Sequence, residues 1–171
     1  PVFGKKNGYA PYEGELSPLA VAMIMEKAGF LPKNPFPQVD PIQNLPPRPP
    51  ILCAGCLHRG AFYAIKKVFR DAIYPSDIGC YTLGLQLGVV DTTICMGASI
   101  TVASGISHAG DPHDIVCTLG DSTFLHTGIQ GLINAVYNRA DITVVILDNR
   151  ITAMTGHQPN PNTGVTACGV E

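Results

Sequence analysis

The sequence predicts an α/β protein: a doubly wound, mainly parallel sheet in a three-layer α/β/α arrangement. Two apolar runs carry that expectation, Ile115–Leu119 and Ile142–Leu147, each followed directly by polar residues, Gly120-Asp121-Ser122 and Asp148-Asn149. Uninterrupted, β-branched runs of this kind read as strands buried on both faces, the habit of parallel sheets. The roughly two dozen residues between them suffice for a helical crossover joining parallel strands. Within that interval Ile129, Leu132, Ile133, Val136 and Tyr137 recur at i, i+3, i+4, i+7 and i+8, one apolar helix face.

The remaining elements follow in order. Residues 1–14 are punctuated by glycine and proline and read as irregular. Ser17 is placed to cap a helix with Pro18 at its first position and Gly29 at its end. Prolines then recur from Leu31 to Pro50, which excludes regular helix and marks an extended linker. The expected organisation is an N-terminal helix with Pro-rich linker over 1–47 and a second domain over 48–171. In that domain Pro50-Ile51-Leu52 reads as a short strand. A helix follows, with Ala61, Ile65, Val68 and Ala72 on one face, joined by Phe62 and Phe69. Asp77–Cys80 reads as a second strand end, 84–91 as a glycine-bearing loop, and 97–107 as a tightly packed small-residue helix. After the strand–helix–strand unit comes a loop from Thr152. The chain stops without a closing element, as a fragment would.

A formal net charge of −2 over 171 residues, with no basic cluster, gives no electrostatic reason to expect nucleic acid or an anionic membrane as partner. No signal peptide is visible, and the weakly charged stretch 92–108 is too interrupted by Gly, Ser and Thr to read as a membrane span. A cytoplasmic location is expected. The six cysteines read as reduced thiols: Cys117 falls inside a predicted buried strand, and Cys53-x-x-Cys56 suits metal or redox chemistry.

The predicted topology brings Asp121 and Asn149 together at the carboxyl ends of neighbouring strands, where open α/β sheets bind ligands. A carboxylate, an amide oxygen and backbone carbonyls form an all-oxygen set that suits Mg²⁺. Gly120 allows close backbone approach, and Ser122 and Thr123 open a helix whose first amides favour phosphate. Taken singly, such Asp and Asn residues are as often turn formers.

The motif Gly120-Asp-Ser, a helix, an apolar strand and Asp148-Asn149 resembles the thiamine diphosphate motif. With Cys53-Ala-Gly-Cys-Leu-His-Arg-Gly60, Asp77-Ile-Gly-Cys-Tyr-Thr82 and Ile151-Thr-Ala-Met-Thr-Gly-His-Gln158, residues 50–166 closely resemble the 2-oxoacid:ferredoxin oxidoreductases, and among them the large subunits of indolepyruvate:ferredoxin oxidoreductases. The resemblance implies a thiamine diphosphate-binding domain with Mg²⁺ on Asp121, Asn149 and the Ile151 carbonyl. It also implies cofactor contacts from Gly120, Ser122, Thr123, Thr152, Ala153, Met154, Thr155 and Gly156, and, at the thiazolium end, from Gly79, Cys80, Tyr81, Met96, Gly97 and Ala98. Two departures stand out: Ser122 replaces the commoner Gly, and Asp148 an Asn. Met96 stands near a position where relatives commonly carry His; such a Met is as readily core filler as cofactor wall.

The implied reaction is oxidative decarboxylation of an aryl 2-oxoacid, with electrons passed to iron–sulfur centres and ferredoxin and the acyl group to coenzyme A. The implied partners are the remaining domains of the large subunit and a smaller second subunit, in an oligomer. A required glutamate lies in another domain, so this chain holds half of a site. Cys53, Cys56 and Cys80 match three ligands of a [4Fe–4S] cluster, which needs a fourth thiolate. Cys95 and Cys168 are candidates, and zinc or uncoordinated thiols remain open readings. No catalytic acid or base stands out. His157 and His58 are candidates, with Arg59 placed to meet a substrate carboxylate and His126 ranked below them. Two other functions stay open: a non-redox thiamine diphosphate decarboxylase or carboligase, and a non-enzymatic metal-stapled interaction module.

Overall fold

The computed structural model describes residues 1–33 and 42–169. It divides into two compact units, Pro1–Arg48 and Pro49–Glu171. In the first, α1 (Pro18–Lys27) starts as its sequence dictates: the Ser17 hydroxyl accepts the Ala20 N–H at 3.2 Å, Pro18 occupies the first turn, and Gly29 turns the chain away at φ 82°. Lys27 Nζ donates to the Gly8 carbonyl and lies over the Tyr9 ring, and Phe3 packs edge-on against Tyr9 and Phe30. The expected proline linker falls partly on residues 34–41, outside the described residues; 42–50 form no helix or strand.

The second unit is the predicted α/β/α sandwich. Its elements are α2 (Leu57–Val68), β1 (Pro75–Ser76), a 3₁₀ segment (Cys80–Leu87), β2 (Thr92–Thr93), α3 (Ala98–His108), β3 (Val116–Gly120), the short α4 (Asp121–Thr123) running through a π turn (Phe124–Gly128) into α5 (Ile129–Tyr137), β4 (Thr143–Leu147) and a 3₁₀ turn (Pro161–Thr163). All strands pair in parallel, in the order β2-β1-β3-β4, and β3 and β4 run in full register from Val116↔Thr143 to Gly120↔Leu147. One face of the sheet packs Val116 and Leu147 with Phe62, Ile65, Tyr74 and Tyr81; the other packs Ile115, Cys117 and Leu119 with Ile100, Ala103 and Ala135. Consecutive connections leave β1 and β3 in opposite directions, which opens a crevice between their carboxyl ends.

Several expectations are corrected. Pro50–Leu52 forms no strand. Helix α2 buries His58, Phe62 and Ile65 (i, i+4, i+7), and Val68, its last residue, falls outside that face and is exposed. Residues 80–87 wind into the 3₁₀ segment instead of a loop beginning at 84. In α5 the predicted apolar stripe is largely outward: Ile133, Val136 and Tyr137 are 64%, 69% and 85% exposed. The reason is steric. Helices α3 and α5 meet at small residues, and a Cβ on Gly131 would lie 3.3 Å from the Thr101 side chain. Strand β4, expected to be covered on both faces, is a sheet edge with Ile146 exposed. Helix α3 runs one residue past the expected 97–107, to His108.

Candidate functional site

One pocket opens at the β1/β3 crevice. From the end of β1 come Gly79, Cys80 and Tyr81, and Met96 lines the same pocket. From the end of β3 come Gly120, Asp121, Ser122 and Thr123; from the end of β4, Asn149, Ile151, Thr152, Ala153, Met154 and Thr155. The glycines at two tips are required by Tyr81. Its ring lies 2.6 Å from where a Cβ would stand on either Gly79 or Gly120. Its hydroxyl meets Thr123 Oγ1 at 2.7 Å and donates toward the Ile78 carbonyl at 3.0 Å, tying the tip of β1 to that of β3. Burial holds the Tyr81 phenol above its ordinary pKa.

Behind this wall Asp77 is fully buried, its Oδ1 accepting the Ser99 N–H at 2.7 Å and so capping α3 from the end of β1. Burial pushes its carboxyl pKa up, against the hydrogen bonds from Ser99, Gly97 and Ala98, which favour the anion.

Asp121 is 4% exposed. Its Oδ2 accepts two amide hydrogens, from Asn160 Nδ2 at 3.0 Å and Asn162 Nδ2 at 3.3 Å. Asn162 Nδ2 also lies 2.7 Å from Asp148 Oδ1. Asn149 Oδ1 accepts the Ile151 N–H at 3.2 Å in an Asx turn that holds the β4 tip. The Thr152 hydroxyl donates to Ser122 Oγ at 2.9 Å, joining the β3 and β4 tips. Asp121, Asn149 and Ile151 therefore line one pocket. Thr155 and Gly156, expected as free phosphate donors, are engaged locally: the Thr155 hydroxyl bonds Gln158 Oε1 and the Gly156 N–H bonds the Ala153 carbonyl. Asn160 and Asn162 were not legible as site residues. In Pro159-Asn-Pro-Asn162 they read as turn formers, and only the Asx turn from Asn160 Oδ1 to the Asn162 N–H is a local signal.

His58 is buried and lines the pocket, edge-on to Tyr81 at 6.4 Å between ring centroids. Burial lowers its pKa, against the upward pull of the Asp121 charge. Arg59 turns away: it donates to the carbonyls of Leu52 and Cys53, so its guanidinium braces the Cys53 loop. His157 is exposed with φ 61° and His126 is exposed in the π turn; neither lines the pocket. Gly97 and Ala98 also lie outside its lining. Gly97 starts α3 at φ 87°, with the Thr127 side chain where a Cβ would be.

Cys80 lines the pocket, and its thiol pKa is raised by burial and by the nearby Cys56 and Cys53. Among the described residues no three His, Cys, Asp or Glu side chains are grouped to hold a metal ion. All six cysteines are free. No helix among the described residues is long and apolar enough to cross a membrane.

Comparison with known proteins agrees with this geometry. Residues 77–171 match the family described as thiamine pyrophosphate enzyme, C-terminal TPP binding domain. The chain is 51% identical, over 98% of its length, to indolepyruvate oxidoreductase subunit IorA of Archaeoglobus fulgidus. It is 53% identical, over 88% of its length, to the subunit of the same name from Pyrococcus abyssi. It spans 29% and 26% of those proteins. A 2-oxoglutarate synthase subunit KorB of Archaeoglobus fulgidus is 33% identical over 67% of the chain and 46% of that protein. The glycine-lined crevice, the oxygen donors at two adjacent parallel tips and the matched sequence coincide: the chain belongs to the thiamine pyrophosphate enzyme family, as its C-terminal TPP-binding domain.

Proposed function

We propose that this domain provides the diphosphate and Mg²⁺ half-site of an aryl 2-oxoacid (indolepyruvate):ferredoxin oxidoreductase, which transfers the acyl product to coenzyme A. The observation that carries the reading is the shared pocket of Asp121, Asn149 and Ile151, in a chain about half identical to indolepyruvate oxidoreductase subunits. The donor set fits the group. Three hard oxygens suit Mg²⁺, which keeps waters and bridges phosphate oxygens. Bound thiamine diphosphate would supply the carbanion chemistry of decarboxylation.

The chain's own residues bind, orient and exclude water. Asp121, Asn149 and the Ile151 carbonyl hold the cation, and Ser122 and Thr123 present the diphosphate-facing end of a helix. Tyr81, Met96 and Met154 wall the apolar side. His58, whose pKa burial lowers, lines the same pocket and is the candidate there to exchange a proton with substrate or product. Ferredoxin, coenzyme A, the other domains and a second subunit are assigned to the full assembly.

Cys53, Cys56 and Cys80 offer three of the four thiolates a [4Fe–4S] cluster takes. The relatives' names favour the redox reading over a carboligase or a stapled interaction module. The test is indolepyruvate-dependent reduction of ferredoxin by the full-length enzyme with its partner subunit. Activity is expected to require coenzyme A, thiamine diphosphate and Mg²⁺. Release of free aldehyde with no electron transfer would favour the non-redox reading instead.

A further inference from the structure

The 3₁₀ turn Pro161–Thr163 and the asparagines around it lie outside the motif that supplies the cation ligands, yet they reach the most buried of those ligands. Asp121 Oδ2 takes hydrogens from both Asn160 and Asn162, while Oδ1 carries no hydrogen bond to any described residue. The orientation of both amides is fixed by chemistry, because an ionised carboxylate only accepts and the nitrogen of each amide must face it. Asn160 is buried at 6% exposure, and its position is locked in turn. Its Oδ1 accepts the Asn162 N–H at 2.9 Å, and its carbonyl accepts the Thr163 hydroxyl at 2.9 Å. The Asn162 amide spans Asp121 and Asp148, two carboxylates on adjacent parallel tips that would otherwise repel. That bridge gives a physical reason why an Asp is accommodated at position 148, where the resemblance leads one to expect Asn.

We infer that Asn160 and Asn162 are positioning residues for the cation site: they fix the rotation of the Asp121 carboxylate so that Oδ1 faces the bound Mg²⁺. The inference rests on the proposed function of the pocket. It assigns the turn after the diphosphate loop as the outer support of the metal, in the way that ligating carboxylates are themselves held by hydrogen bonds.

The test uses the full-length enzyme with its partner subunit, titrated with Mn²⁺ in the presence of thiamine diphosphate and followed by electron paramagnetic resonance. Asn160→Ala is expected to raise the Mn²⁺ dissociation constant roughly 10- to 100-fold, the usual loss for an outer-shell partner. It is also expected to change the zero-field splitting of the bound ion at saturation, which a purely structural role would leave alone. Asn162→Ala should act in the same direction with a smaller effect. It carries the test if the buried Asn160 variant does not fold. Wild-type affinity and an unchanged spectrum in both variants would overturn the inference while leaving the proposed function intact. Absence of thiamine diphosphate-dependent Mn²⁺ binding in the wild-type enzyme would instead remove the proposed function, and this inference with it.

Discussion

Strands β3 and β4 are neighbours in full register, and their apolar runs look equivalent in the sequence, yet they are buried differently. Every residue of β3 is buried, whereas β4 leaves Thr143 and Ile146 exposed and buries only Leu147. The difference comes from position. β3 lies between β1 and β4 and receives helices on both faces, while β4 is the edge of the described sheet. The same contrast runs into the tips. Asp121, at the end of β3, is buried and held by two amides, while Asp148, at the end of β4, is exposed and holds its own turn through the Arg150 N–H. Hydrophobic patterning identifies a strand; its neighbours decide how much of it is covered.

Thiol chemistry should show the contrast most strongly. Burial in β3, with Asp77 nearby, lifts the Cys117 thiol from 9.0 to about 12. That shift cuts the thiolate fraction at neutral pH by roughly a thousandfold. A cysteine placed on β4 by Ile146→Cys should be alkylated readily under native conditions while Cys117 is spared, as mass spectrometry of the labelled peptides would show. Comparable labelling of Cys117 would mean that β3 is not enclosed.

Stability gives the next largest difference. Leu119→Ala removes a fully buried side chain and should cost about 2–5 kcal/mol. Ile146→Ala, at a site already 39% exposed, should cost no more than about 1.5 kcal/mol. Urea unfolding of the two variants checks the order, and equal losses would refute it.

The smallest effect concerns His58, beside the β3 tip. Its folded pKa lies below the ordinary 6.5, so the unfolded chain binds more protons as the pH falls through that value. The stabilisation is therefore present above 6.5 and lost as the pH drops toward the folded value. His58→Gln should flatten this part of the stability profile, and an unchanged slope would place the titration elsewhere.

The parts of the fold that depend on local chemistry were legible. Ser17, Pro18 and Gly29 bound α1, and the two apolar runs became paired parallel strands whose tips bring Asp121 and Asn149 into one pocket. What the sequence could not show was which surfaces meet. The stripe through Ile133, Val136 and Tyr137 suggested the buried face of α5, but close contact with α3 selected Gly131 and Ala135. Arg59 beside the Cys-x-x-Cys looked available for a substrate, yet the backbone carbonyls of Cys53 and Leu52, six and seven residues earlier, take its donors. Asn160 and Asn162 reach Asp121 across about 40 residues of sequence, a contact no local pattern encodes.

The most direct test is calorimetric titration of the full-length protein by thiamine diphosphate with and without Mg²⁺. Wild type is compared with Asp121→Ala, Asn149→Ala and Asp148→Ala. Saturable, Mg²⁺-dependent binding is expected, lost in the Asp121 and Asn149 variants and surviving, weakened by no more than roughly tenfold, in the Asp148 variant. Binding that is indifferent to Mg²⁺, or retained without Asp121 and Asn149, would contradict that expectation.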